Sequence, residues 1–200
     1  MNTEALSSNL LAIVYGWMMV IRLIYGWQAN RQGGKAVRRM EPGWSPVLMS
    51  VLMVLSNGVL LLAIFWPEAL RAAAIPVSEG WRWLGLVLGL CMDALFVWIH
   101  HMLGRNWAVG VLVKEHHRLV TAGPYRWVRH PMYSALFGFS VAFFLLSANL
   151  LVGLLWLAMT VASAWRVGQE EQILYETFGA AYQQYAAQTG RFLPKGWGMP

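Results

Sequence analysis

The sequence predicts an all-α integral membrane protein with about five transmembrane helices and a cytoplasmic amphipathic helix near the carboxyl end. Of its 200 residues, 58% are hydrophobic and only 12% are charged, and the mean hydropathy is +0.48. The apolar residues also occur in runs of about 20, the length that a helix needs to cross the hydrocarbon core of a bilayer. This composition and this arrangement exclude a soluble globular protein.

Five spans are predicted within a single membrane domain that covers the whole chain. They are residues 8–27, 46–66, 82–101, 132–147 and 149–168. The last two form a hairpin, because the polar sequence "SAN" interrupts a long apolar stretch and is typical of a tight turn. The first run is too long for a signal peptide and lacks a small-residue cleavage pattern, so we expect no cleavable signal.

Lysine and arginine residues lie mostly on one side of this topology. The loop of residues 28–45, the loop of residues 102–131 and the carboxyl-terminal tail hold most of them, whereas the other side holds Arg71 and Arg82. The positive-inside rule therefore predicts an external amino terminus and a cytoplasmic tail, as in a multi-pass protein of a prokaryotic inner membrane. Because the basic residues flank lipid, the net charge of +6 indicates topology, and we expect no nucleic-acid partner.

Two ionisable residues lie inside predicted spans at comparable depths, Arg22 in the first span and Asp93 in the third. Ionisable groups in a membrane usually have a partner, so we expect an ion pair between these two helices, with Asn57 nearby. A role in proton or ion movement is the less favoured alternative. In the third span, Gly85 and Gly89 are four residues apart, which predicts close helix packing within the bundle.

No metal site is expected. Cys91 is the single cysteine, and four of the five histidines occur as the adjacent pairs His100–His101 and His116–His117. Adjacent histidines point to different faces of a helix and do not easily share one ion.

The loop of residues 102–131 is the first candidate for function. It is too polar to cross a bilayer and too rich in Trp, Val and Tyr for a disordered linker, and ordered loops of this length are usually functional. Gly123 and Pro124 mark a turn, and Pro131 is placed to begin a helix. His130 and Tyr133 then lie at the amino end of that helix, which suits an anionic group.

The segment of residues 169–194 is the second candidate. It has a helical pattern that predicts an amphipathic helix on the cytoplasmic surface, followed by a tail. Glu170 and Glu171 stand at its start, one turn after Arg166. Spacing alone favours a solvated face with an Arg166–Glu170 pair.

Taken together, these two segments resemble a known family. The order "LGRNW", "HRLVTAGPYRWVRHPMY", a hairpin of two spans and "EEQILYETFGAAYQQYAAQTGRFLP" is similar to the isoprenylcysteine carboxyl methyltransferase family of integral membrane enzymes, which is related to phospholipid N-methyltransferases. The resemblance covers roughly residues 83–194 and does not include the first two spans. We expect divergence in substrate choice to arise from those two spans.

The resemblance implies a site for S-adenosyl-L-methionine between the loop and the tail helix. Residues that match the loop over the cofactor are His117, Leu119, Val120, Gly123 and Tyr125. By the same resemblance, His130 and Tyr133 reach the amino-acid part of the cofactor, and Glu170 and Glu171 lie near its ammonium or ribose hydroxyls. Arg129 and Arg166 match positions implicated in activity or in meeting a carboxylate substrate.

Several alternatives remain open from the sequence. The expected acceptor is a lipophilic small molecule or lipid within the membrane: a prenylcysteine-like carboxylate, or a lipid amine or thiol. A carboxylate needs no general base, whereas an amine or thiol would need one, and His130 could then serve. Steroid or sterol reductases that use NADPH share a similar carboxyl-terminal pattern, although they tend to be longer. A non-enzymatic scaffold that binds anionic lipid would explain the charge but not the ordered motifs.

Overall fold

The computed structural model describes residues 3–32, 36–39, 45–104, 112–114 and 118–196. Its helices are α1 Thr3–Gln32, α2 Ser45–Phe65, α3 Glu79–Leu103, α4 Pro131–Ser147, α5 Leu150–Trp165, α6 Val167–Phe178 and α7 Ala180–Gln188. Two short strands, β1 Ala36–Arg39 and β2 Leu112–Lys114, and two 3-10 turns, Pro67–Ala73 and Gly123–Arg126, complete the described elements.

Four helical stretches of the described chain are long and apolar enough to cross a membrane. They are Ala5–Arg31, Pro46–Phe65, Glu79–Leu103 and Leu150–Phe178. The fifth, α4, is apolar but shorter, and its 17 residues extend over about 25 Å at the rise of an α-helix. These helices confirm the predicted fold class, an all-α membrane protein.

Small residues bring the helices of the bundle into close contact. A Cβ atom added to Gly89 of α3 would lie 2.6 Å from the Val14 side chain of α1, and one added to Gly85 would lie 2.9 Å from Leu145 of α4. Any larger side chain would push these helices apart, which confirms the predicted packing of both glycines within the bundle.

Aromatic rings fill the centre of the bundle. Phe96 of α3 packs edge-on against Phe139 of α4, with ring centroids 5.5 Å apart. Phe143 of α4 meets Trp156 of α5 at 4.6 Å. The Trp156 indole N–H donates to the Ser56 carbonyl of α2 at 2.9 Å, so the one polar atom of this large side chain is satisfied.

A tight turn joins α4 to α5, as the "SAN" sequence predicts. Ala148 adopts a left-handed conformation with φ of 47°, and Asn149 caps α5 by accepting hydrogen bonds from the backbone of Leu151 and Val152. The Asn149 amide also donates to the Leu70 carbonyl at 2.9 Å. This single side chain therefore fixes both the hairpin and the connection after α2.

The predicted ion pair between Arg22 and Asp93 is wrong. Asp93 is buried, and no described residue donates a hydrogen bond to either of its carboxylate oxygens. Asn57 does not join such a pair but accepts a hydrogen bond from the Tyr15 hydroxyl at 2.8 Å. Hydropathy places both ionisable residues at one depth, but it does not determine the direction in which each side chain leaves its helix.

Two features at one end of the bundle are not predicted from the sequence. Strands β1 and β2 pair antiparallel and so bring the two basic loops together. The tail helix is divided in two at Gly179, whose φ of 53° is a left-handed value that an L-residue in a helix does not adopt.

Candidate active site

The tail folds back onto the segment that precedes α4. The backbone N–H of Arg129 donates to the Gly190 carbonyl at 2.8 Å, that of His130 to the Arg191 carbonyl at 3.1 Å, and that of Gly190 to the Trp127 carbonyl at 3.2 Å. These bonds form a short parallel bridge. They place the residues before α4 beside the tail, while α6 supplies the acidic residues between them.

His130 lies between the two adjacent glutamates. Its side chain is 7% exposed, with Nδ1 3.5 Å from Glu170 Oε2 and Nε2 3.3 Å from Glu171 Oε1. Burial lowers the pKa of His130, but the hydrogen bonds and charges of Glu170 and Glu171 outweigh burial and raise the pKa above its ordinary value. With a carboxylate facing each ring nitrogen, the protonated imidazolium is the favoured form.

Glu171 is the centre of the charged network. Its side chain is 8% exposed and accepts hydrogen bonds from Arg129 Nε at 2.9 Å and from Arg191 Nη2, in addition to its contact with His130. Burial raises the pKa of Glu171, but the bonds from His130, Arg191 and Arg129 outweigh burial and hold the pKa well below its usual range. Glu171 is therefore a carboxylate shared among three cations.

Arg129 fastens the tail through its side chain as well as its backbone. Its Nη1 donates to the Ala186 carbonyl at 2.9 Å and to the Thr189 carbonyl. Together with the bond to Glu171, these contacts direct the guanidinium toward α7 and the tail. Its role in the reaction, implied by the family resemblance, stays a prediction.

Glu170 is the more accessible glutamate of the pair. Its side chain is 23% exposed, and it accepts a hydrogen bond from the Tyr133 hydroxyl. The ring of Phe192 borders this cluster, with its centroid 6.3 Å from that of His130 and 6.4 Å from that of Tyr133. Glu170 thus combines partial exposure with a fixed orientation.

Two buried polar atoms beside the glutamates have no hydrogen-bond partner within the described part of the chain. They are Gln169 Oε1 and the hydroxyl of Tyr182. Burial and the charge of Glu171 raise the pKa of Tyr182, so the hydroxyl keeps its proton. Buried polar atoms without partners are rare in folded proteins and indicate a missing hydrogen-bonding group.

The remaining predicted site residues belong to the loop before α4, apart from Arg166. Tyr125 is buried, and its carbonyl accepts from the Tyr185 hydroxyl at 2.7 Å. Gly123, with φ of 61°, packs against α3. Leu119 and Val120 are half-buried, His117 lies outside the described residues, and Arg166 is half-buried where α5 meets α6.

The structure therefore brings His130, Tyr133, Glu170, Glu171 and Arg129 together. Sequence reasoning missed Arg191 as a member of this cluster and treated it only as a basic residue of the tail. The signal that could have identified it is its place in the "TGRFLP" motif, which follows the tail helix in the family pattern.

Comparisons with known proteins show similarity to one family of membrane methyltransferases. Residues 83–176 match the model of the isoprenylcysteine carboxyl methyltransferase (ICMT) family. The human and mouse proteins named protein-S-isoprenylcysteine O-methyltransferase are each 31% identical over 137 residues, a match that covers 66% of this chain but only 45% of each relative. The chain thus spans less than half the length of these curated relatives.

A solved structure shares the fold over nearly the whole chain. The structure of the eukaryotic intramembrane Ras methyltransferase ICMT aligns over 96% of this chain and 70% of its own length, with a TM-score of 0.56 and 22% identity. At this identity the likeness shows the fold alone. None of these matches supports the reductase alternative.

Proposed function

We propose that this chain, whose residues 83–176 match the model of the isoprenylcysteine carboxyl methyltransferase family, is an integral membrane methyltransferase. It transfers a methyl group from S-adenosyl-L-methionine to a lipophilic acceptor, with a prenylcysteine-like carboxylate favoured over a lipid amine or thiol. The observation that carries the proposal is the cluster of His130, Tyr133 and Glu170, formed by the two segments that carry the family motifs.

The residues of the cluster fit the polar groups of this cofactor. Glu170 offers a partly exposed carboxylate for a cationic ammonium group, and Gln169 Oε1 offers a buried acceptor without a described partner. The Tyr182 hydroxyl offers a donor that is likewise unpaired among the described residues. Carboxylates, amides and hydroxyls are the groups that bind an amino-acid moiety and ribose hydroxyls.

We assign different roles to the two glutamates. Glu170, oriented by Tyr133, holds the ammonium of the cofactor. Glu171 is already neutralised by Arg129, His130 and Arg191, so it organises the tail and orients His130 instead of binding the ligand. We assign the remaining wall of this proposed site to the loop residues Leu119, Val120, Gly123 and Tyr125.

The chemistry then requires little acid or base catalysis. When bound, S-adenosyl-L-methionine supplies a methyl group that is activated by its sulfonium. A carboxylate acceptor is already a nucleophile at neutral pH, so the protein needs to align it and exclude water. His130, flanked by two carboxylates and favoured in its protonated form, suits a positioning role better than that of a general base.

Calorimetry with S-adenosylhomocysteine on the detergent-purified protein tests the cofactor. We expect binding by the wild type, loss of binding in Glu170→Gln, and unchanged binding in the matched control Glu176→Gln, an exposed glutamate on the same helix. A methyl-transfer assay then compares prenylcysteine analogues, phosphatidylethanolamine and small thiols. If the wild type bound no S-adenosylhomocysteine, the proposed function would be refuted.

The topology is part of the same proposal. The five predicted spans cross the membrane with the amino terminus outside, and the cluster lies at the cytoplasmic end, where a hydrophilic cofactor has access. The pairing of β1 with β2 supports it by holding both basic loops at one end of the bundle. A fluorescent protein fused to the carboxyl terminus should fluoresce in a bacterial host, and a phosphatase fusion there should be inactive; the reverse pattern would contradict the topology.

A further inference from the structure

Arg22 is a charged residue of α1 for which the fold provides no described acidic partner. It lies within an apolar helix long enough to cross the membrane, and it is half-buried. Within the described segments no carboxylate forms an ion pair with Arg22, and both carboxylate oxygens of Asp93 lack a hydrogen-bond partner there. An ionisable residue inside a membrane is costly and is by default a candidate functional residue.

The contacts between helices determine the depth of Arg22. Helices α1 and α3 run parallel, with Ser7 bonded to Arg82, Val14 against Gly89, and the ring of Tyr25 5.5 Å from that of His100. The two residues of each pair are 75 positions apart in the sequence. Arg22 is therefore level with Val97 of α3.

The packing of α3 on α4 relates that level to the cluster. Phe96 meets Phe139, and Gly85 meets Leu145, so the two helices run antiparallel. Val97 consequently faces the first two turns of α4, the helix that begins next to His130. At the rise of an α-helix, Arg22 therefore lies at most about 8 Å deeper in the membrane than Tyr133.

The position of Arg22 around α1 leaves only part of its side chain exposed. Val14, Met18 and Ile21 are buried and form the face that packs into the bundle. Arg22 follows at the edge of this face, on the side where Tyr15 bonds to Asn57 of α2. A guanidinium at the edge of an apolar bundle can meet a molecule that enters sideways from the lipid.

We propose that Arg22 binds the carboxylate of the lipophilic acceptor and thereby selects acidic acceptors. This inference rests on the proposed function and deepens it. Arginine is the side chain best suited to a carboxylate in an apolar setting, because its planar fork donates two parallel hydrogen bonds and keeps its charge. The apolar surroundings of Arg22 accommodate the lipid part of the acceptor.

The charge balance of the transfer is consistent with this role. A carboxylate oxygen of the acceptor forms a bond to the methyl carbon of S-adenosyl-L-methionine while the bond between that carbon and sulfur breaks. The electron pair of the broken bond remains on sulfur. No proton is transferred, so no base is needed beside Arg22. The acceptor loses its negative charge as the ester forms, and the contact with Arg22 therefore weakens in the product, which favours release.

The test compares two ligands that differ in one group, an S-prenylcysteine with a free carboxylate and its carboxamide. Dissociation constants are measured by calorimetry in the presence of S-adenosylhomocysteine. We expect the wild type to prefer the carboxylate by about 10- to 100-fold, as for a hydrogen-bonded charged group, and Arg22→Gln to lose that preference. Arg22→Lys, which keeps the charge without the fork, should retain part of it.

Affinity for S-adenosylhomocysteine alone separates this inference from the proposed function. It should be unchanged in Arg22→Gln and in the control Arg71→Gln, an exposed arginine paired with Glu68 in the 3-10 turn after α2. A wild type that binds S-adenosylhomocysteine but does not prefer the carboxylate overturns the role of Arg22. A full preference in Arg22→Gln, or weaker S-adenosylhomocysteine binding by that variant, overturns it as well. Absence of S-adenosylhomocysteine binding by the wild type instead overturns the proposed function.

Discussion

Replacement of Glu171 by glutamine should release the tail from the site. The Glu171 side chain is 8% exposed, and two of its partners, Arg129 and His130, are 13% and 7% exposed. Removing one partner of a buried ion pair costs about 3–5 kcal/mol. Arg191 is 52% exposed, so its share is small.

The lower end of that range is the better expectation. Glutamine keeps one oxygen that can accept the 2.9 Å bond from Arg129, so this bond can persist, while the charge and the acceptor for the exposed Arg191 are lost. A cost of about 3 kcal/mol corresponds to roughly a 100-fold change in the opening equilibrium. The segment that opens is the tail pairing, because its backbone hydrogen bonds join the residues around Arg129 to those around Gly190.

Hydrogen exchange measures this opening directly. The amides of Arg129, His130 and Gly190 donate the bonds of the tail pairing, and in Glu171→Gln they should exchange roughly 100-fold faster, in line with the free-energy loss estimated above. Glu170→Gln is the matched control, since that side chain is more exposed and touches neither arginine in the described contacts. Unchanged exchange in Glu171→Gln, or equally fast exchange in Glu170→Gln, would refute the assignment of Glu171 as the organiser of the tail.

Three further changes have defined outcomes. The pKa of His130 is raised in the folded protein, so protonation of His130 stabilises the fold fully below the unfolded-state pKa of about 6.5. This stabilisation is lost as pH rises through the raised pKa. The midpoint temperature of unfolding should therefore fall over this pH range, and it should fall less in His130→Gln. Tyr133→Phe removes the donor to Glu170 and should weaken S-adenosylhomocysteine binding about 10-fold in calorimetry. Gly123→Ala combines a φ of 61° with a Cβ contact of 2.7 Å to Met102 of α3 and should lower the unfolding midpoint more than Gly16→Ala, a helical position where the added Cβ has no described atom within 4 Å.

Each of these outcomes has a clear opposite. Equal pH dependence in the wild type and in His130→Gln would assign the titration to another group. Full affinity in Tyr133→Phe would separate that hydroxyl from the ligand. Equal midpoints for the two glycine variants would show that neither the positive φ of Gly123 nor its contact with α3 destabilises the variant.

Local sequence patterns were sufficient for much of the candidate site. Pro131 begins α4 as predicted, because proline is tolerated in the first turn of a helix. His130 and Tyr133 are three residues apart across that helix start, so their closeness follows from the chain itself. The adjacent pair Glu170 and Glu171 could be matched to the family motif, but which glutamate is buried could not be inferred from adjacency.

The errors and omissions concern contacts between distant parts of the chain. Arg22 and Asp93 are at similar depths, but helical periodicity alone does not determine whether two side chains on different helices face each other. The contacts of Arg129 and Arg191 with Glu171 depend on the tail folding back, which no local pattern encodes. Gly179 interrupts a run with helical periodicity because its backbone is left-handed, and periodicity does not reveal that.

The sequence by itself determined the membrane class, the apolar helices and the two segments that carry the site, because hydrophobicity, helix breakers and motif order are properties of neighbouring residues. Only the tertiary structure decided which charges meet: Glu171 among three cations, Glu170 beside Tyr133, and Arg22 apart from Asp93. The physical reason is that a buried charge is stabilised by whatever lies within a few ångströms, and those neighbours are set by how the helices pack and where the tail docks.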